Sequence, residues 1–90
     1  MREARATERP VARPGLEINE VADGLVIYDG ESERVHYLNV TAGVVFSLCT
    51  GTSTAEEIAD EVGTIFALGR PAEPDTSECI EQLRAEGLIH

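Results

Sequence analysis

The sequence predicts an α+β fold, winged helix-turn-helix-like, with a three-stranded antiparallel sheet followed by three helices. Three observations carry that prediction. Residues 16–38 divide into three short, strand-forming stretches separated by Asp-Gly turns. At Asn39 the apolar period lengthens from that of a strand to that of a helix. Beyond it, Thr54, Asp75 and a closing Gly87-Leu88-Ile89 mark further helix starts and one helix end.

The first strand spans residues 16–21, with Leu16 and Ile18 on one face. Asp23-Gly24 supplies a tight turn, because this pair tolerates positive φ. Leu25-Val26-Ile27-Tyr28 is β-branched and apolar and suits the central strand. Asp29-Gly30-Glu31-Ser32 turns the chain again, and residues 34–38 form the third strand. Short strands joined by tight turns make an antiparallel meander.

Asn39 can cap the first helix by accepting from amides of its first turn. Ala42, Val45, Phe46 and Cys49 recur at helical spacing, with Val44 and Leu48 beside them, so this helix is expected to be buried and to end at Thr50-Gly51. Thr54 and Glu57 fit a capping box for the second helix, whose stripe is Ala55, Ile58, Ala59, Val62 and Phe66. Gly63 weakens that helix by about 1 kcal/mol relative to alanine. Residues 69–74 read as a loop. Asp75, followed by Glu78, opens the third helix in the same way, and Gly87 suits the position past its end. Thr76, Ile80 and Leu83 share one face of it, which Cys79 borders.

Residues 1–13 lack an apolar period and read as a flexible N-terminal tail ahead of one domain at residues 14–90. The net charge of −10 is unevenly spread: the tail holds four arginines against two glutamates, the rest three arginines against fifteen acids. So acidic a body disfavours nucleic acid. The third helix, the recognition element in a DNA-binding winged helix, carries Asp75, Glu78, Glu81 and Glu86 against Arg84 alone. No apolar run approaches the roughly 20 residues of a membrane span, and no secretory signal is present. Cys49 and Cys79 read as free thiols of a cytoplasmic protein. His36 and His90 show no metal-ligand spacing, and no phosphate loop or catalytic set stands out, so neither an enzyme nor a cofactor is expected.

What the residues leave is a binding module. A meander exposes unpaired backbone at its edges, and an extended peptide can add there as a further strand. The third helix would wall such a groove, with Thr76 and Cys79 as liners and Ile80 and Leu83 shared with the core. A winged-helix regulator, or a structural partner without a peptide ligand, is the alternative. The open edge also allows two copies to meet, so a monomer or weak dimer is expected.

Several pieces taken in order resemble the PqqD-like family, the RiPP recognition elements. They are Arg13-Pro14, Asp23-Gly24-Leu25, the run from Val35-His36-Tyr37-Leu38-Asn39 to Val40-Thr41-Ala42, Cys49-Thr50-Gly51-Thr52-Ser53-Thr54 with Glu57-Ile58, and Leu83-Arg84-Ala85-Glu86-Gly87-Leu88. The resemblance covers residues 13–90. Val40 stands where the family usually has proline, a mild departure at a first helical position. The resemblance implies a stand-alone adaptor that binds the leader segment of a ribosomally made precursor peptide. It would present that leader to a modifying enzyme, a radical SAM enzyme or alternatively a lasso-type leader peptidase. Carried onto this chain, the peptide-binding residues are Arg34, Val35, His36, Tyr37 and Leu38 on the third strand. Thr76, Cys79, Ile80, Leu83 and Arg84 complete the set on the third helix. Arg84, the only base there, would pair with a leader carboxylate, while apolar leader side chains dominate recognition.

Overall fold

The computed structural model describes residues 8–69 and 72–90 of the chain. Strands β1 (Leu16–Val21), β2 (Gly24–Asp29) and β3 (Arg34–Asn39) are followed by helices α1 (Val40–Ser47), α2 (Ala55–Ile65) and α3 (Glu73–Ala85). The sheet is antiparallel in the order β1-β2-β3, with Ile27 of β2 opposite Ile18 on one side and His36 on the other. This is the predicted fold class and element order.

Strand alternation decides which side chains meet the helices. Leu25 and Ile27 are buried on the helix-facing side of β2, and Leu38 lies opposite Leu25 on that same face. Tyr28 and Val35 point the other way, to solvent, and Tyr37 at the same parity donates its hydroxyl to the Asp23 carbonyl at 2.9 Å. Helix α1 packs on β2 and β3, so Ile18 on the outer strand β1 stays 49% exposed although it shares the inward face. At the β1–β2 turn, Gly24 has φ +152°, and a Cβ there would run into the Leu38 carbonyl. Glycine is therefore required for the close approach of β2 to β3 as well as for the turn.

The capping predictions hold for two helices. Asn39 Oδ1 accepts from the Ala42 amide at 2.9 Å and starts α1. Thr54 Oγ1 accepts from the Glu57 amide at 3.2 Å, while Glu57 Oε1 accepts from the Thr54 amide at 2.8 Å. The third start differs. Helix α3 begins at Glu73, two residues before Asp75, after an Ala72 cap with no side-chain hydrogen bond. Pro74 falls in the first turn, where its fixed φ suits a helix and its missing N–H costs nothing. The loop predicted over residues 69–74 therefore ends at Ala72. At the other end, Gly87 (φ +77°) lets its own amide donate to Arg84 O at 3.1 Å and the Leu88 amide to Leu83 O at 3.0 Å. That reversal returns Leu88 and Ile89 to the core, where they are buried with Ile27, Phe46, Ile58 and Leu83. Helix α1 ends at Ser47, so Cys49 lies just beyond it, still buried.

Residues 1–7 lie outside the described residues, but residues 10–13 are held by main-chain bonds. Ala12 and Arg13 amides donate to Cys49 O (2.9 Å) and Leu88 O (3.0 Å), and the His90 amide donates to Val11 O (2.9 Å). Arg13 also reaches across to Asp29 on β2, Nη2 to Oδ2 2.8 Å. Such pairing between segments far apart in sequence leaves no local period to read.

Candidate functional site

Among the described residues, strand β3 pairs with β2 on one side only. Its outer rim faces α3, and between them runs a groove of about 350 Å³. Tyr37, Leu38 and Asn39 contribute from the strand, Ala42 from α1, and Cys79 and Leu83 from the helix. Asp75, Glu78, Gln82 and Glu86 complete the lining, all exposed on α3 or its cap. The floor is thus apolar and the polar lining largely acidic.

The predicted residues divide between this groove and elsewhere. Tyr37, Leu38, Cys79 and Leu83 line it together, although Leu83 is only 1% exposed and is mainly core. His36 lies behind Glu86, its Nδ1 3.8 Å from Glu86 Oε1, with its side chain 10% exposed. Its Nε2 is buried without a hydrogen-bond partner among the described residues. Val35 is on the strand but its side chain faces the open side of the sheet. Arg34 starts the strand, outside the groove lining. Thr76 and Ile80 point inward, Thr76 toward Val45, Val62 and Phe66.

Arg84 is on the far side of α3. There it lines a separate hollow with Glu8, Pro10 and Glu56. Its Nη2 donates to Glu8 Oε1 at 2.9 Å and to the His90 carbonyl at 3.3 Å, and Nη1 lies 3.6 Å from Glu81. Residue types alone could not reveal this: five residues put Arg84 about 140° around the helix from Cys79, and only packing shows which of the two faces meets β3. Asp75, Glu78, Gln82 and Glu86 are not among the predicted groove residues; the sequence marks Asp75, Glu78 and Glu86 only as charge that disfavours DNA. Their signal was present, since 75, 78/79, 82 and 86 recur at helical spacing around Cys79.

The electrostatics follow from this lining. Burial, and then the Glu86 carboxylate, push the Cys79 thiol above its ordinary pKa. Cys49 is pushed up to about 11, first by burial and then by Cys79, against a smaller opposing pull from Arg84. Its Sγ donates to the Val45 carbonyl at 3.2 Å. Both sulfurs are free thiols, and such thiols are poor nucleophiles at neutral pH. Among the described residues, no three His, Cys, Asp or Glu side chains converge as a metal site requires. No helix of the described chain is long and apolar enough to cross a membrane.

Fold and groove define a class: a small winged-helix-like α+β module with one open sheet edge beside a helix. The chain belongs to the family described as Coenzyme PQQ synthesis protein D (PqqD), which it matches over residues 24–89. Among solved structures it is similar to "Lasso peptide synthetase B1 complexed with the leader peptide". That similarity has 22% identity and a TM-score of 0.76, covering 91% of this chain and 98% of that one. It is also similar to "TbiB1 in Complex with the TbiA(beta) Leader Peptide", with 18% identity and a TM-score of 0.75, covering 89% of this chain and 94% of that one. No curated relative matches the chain.

Proposed function

We propose that this protein is a non-catalytic adaptor that binds the leader segment of a ribosomally made precursor peptide and presents it to a modifying enzyme. The observation that carries the reading is the unpaired rim of β3 beside an apolar-floored groove. A guest strand laid there would satisfy main-chain groups of β3, and its alternate side chains would enter toward Leu38, Ala42 and Cys79. Each apolar side chain so buried contributes about 1.5–3 kcal/mol before ordering costs. Family membership supports the reading, and so do two similar structures that each hold a leader peptide. The winged-helix regulator has no comparable support, because α3 is as acidic in three dimensions as in sequence.

The enzyme served is of radical SAM type or a leader peptidase, the second supported by the likeness to a lasso peptide synthetase. The reading assigns no bond-making or bond-breaking step to this chain. It places the work in the cytoplasm, as two free thiols suit. Calorimetry with the leader of the precursor encoded beside this chain tests the reading. Cys79→Arg fills the groove from the half-buried wall and is expected to weaken binding at least about tenfold, about 1.4 kcal/mol, with circular dichroism unchanged. A leader that binds the variant as well as the unaltered protein would place the site elsewhere.

A further inference from the structure

The charged side chains lining the β3–α3 groove are Asp75, Glu78 and Glu86, all of one sign. The helix's only arginine is turned to the opposite side and engaged by Glu8 at 2.9 Å. Arg34 stands at the start of β3, beyond the lining. The negative field reaches the groove floor, where the Glu86 charge adds to burial in raising the Cys79 thiol. Beneath these carboxylates the surface is apolar: Leu38, Ala42, Cys79 and Leu83. A guest strand therefore meets greasy contacts at the bottom and carboxylates along the helix wall.

Resting on the strand-addition reading above, we infer that the groove takes a basic leader. Its ligand is an extended peptide with apolar side chains toward Cys79 and Leu83 and Lys or Arg toward Glu78 and Glu86. The selection acts in both directions. A basic guest gains attraction along the wall, and a guest carboxylate on that side meets like charge and is rejected. The apolar floor still supplies most of the affinity, because exposed ion pairs each contribute up to about fivefold. The carboxylates decide which apolar peptide is accepted. This replaces the pairing of Arg84 with a leader carboxylate, since no base among the described residues lines the groove.

The test is titration calorimetry at pH 8 with the leader of the precursor encoded beside this chain. Three versions are compared: the native leader and two in which the Lys and Arg of its bound segment become Gln or Glu. The protein is used unaltered and as Glu78→Lys/Glu86→Lys. Both replaced side chains are exposed, and position 86 caps the negative end of the α3 dipole, where a cation is favourable. Glu78→Gln/Glu86→Gln, checked by circular dichroism, is the milder second variant, with an expected loss of about threefold. The lysine variant is expected to bind the native leader about tenfold more weakly and to recover affinity for the Glu-substituted leader. Raising salt from 50 to 500 mM weakens the native pair several-fold and leaves the apolar part intact. Native binding that is equal or tighter in the lysine variant overturns the inference and leaves the adaptor reading standing. So does a bound segment without Lys or Arg. No binding by the unaltered protein overturns both.

Discussion

Ala67 holds a φ of +51° just past the end of α2, where its own amide donates to Thr64 O (3.2 Å) and that of Leu68 donates to Gly63 O (3.0 Å). An L side chain in that region costs roughly 1–2 kcal/mol, part of which glycine would return as extra freedom of the unfolded chain. Ala67→Gly is therefore expected to stabilise the protein by about 0.5–1 kcal/mol, read as a higher midpoint in urea. Asp29 is a second residue with a measurable signature. Burial alone would raise its pKa. Hydrogen bonds from the Ser32 side chain and the Glu31 amide, with the Arg13 charge and the Ser32 backbone, outweigh burial and hold it low. A carboxyl whose folded pKa is depressed stabilises the fold above its unfolded pKa of about 3.9 and loses that contribution as pH falls through the folded value. The stability gap between the unaltered protein and Asp29→Asn should be constant from neutral pH to about pH 5 and close below about pH 4. A gap that widens in acid would reverse the assigned sign.

At the scale of elements, the groove depends on how α3 is rotated against β3. Cys79 reports this directly: it is half-buried in the wall, whereas Cys49 is 2% exposed beneath the core. Iodoacetamide above pH 9 should modify Cys79 slowly and Cys49 hardly at all, by mass spectrometry of digests. Bound leader should slow the Cys79 reaction at least about tenfold if the guest fills the groove. Unchanged reactivity would remove the guest from this wall. The sequence could report what each element does locally. Strand alternation gave β2 and β3, and the Asn39 and Thr54 caps gave two helix starts, because those signals lie within a few residues of one another. Pro74 was misread since proline marks a loop and a first helical turn alike. The face of α3 that meets β3 is a tertiary fact. Cys79 and Leu83 are legible as liners because they are small or apolar, while Glu78 and Glu86 are legible only as charge that disfavours DNA. The docking of residues 10–13 is equally non-local, resting on bonds to Cys49 and Leu88.

On the scale of the whole molecule, the parts serve one arrangement. The core of α1, α2 and α3 anchors β2 and β3 on one face, the segment at residues 10–13 ties both chain ends to that core, and β3 is left as a rim. Strand β1 supplies the other rim of the sheet, where Glu20 and Val21 share a hollow of about 680 Å³ with Val40, Val44 and Leu48 at α1, and Ile18 stays half exposed. The proposed guest strand adds at the β3 rim beside α3 and not at β1. Amide hydrogen exchange, resolved residue by residue with and without the leader peptide, tests this most directly. The account predicts that alternate amides within residues 34–39 become protected on binding, together with Cys79 and its neighbours on α3, while β1 is unchanged. Protection appearing along β1, or absent from β3 when binding is saturated, would contradict it.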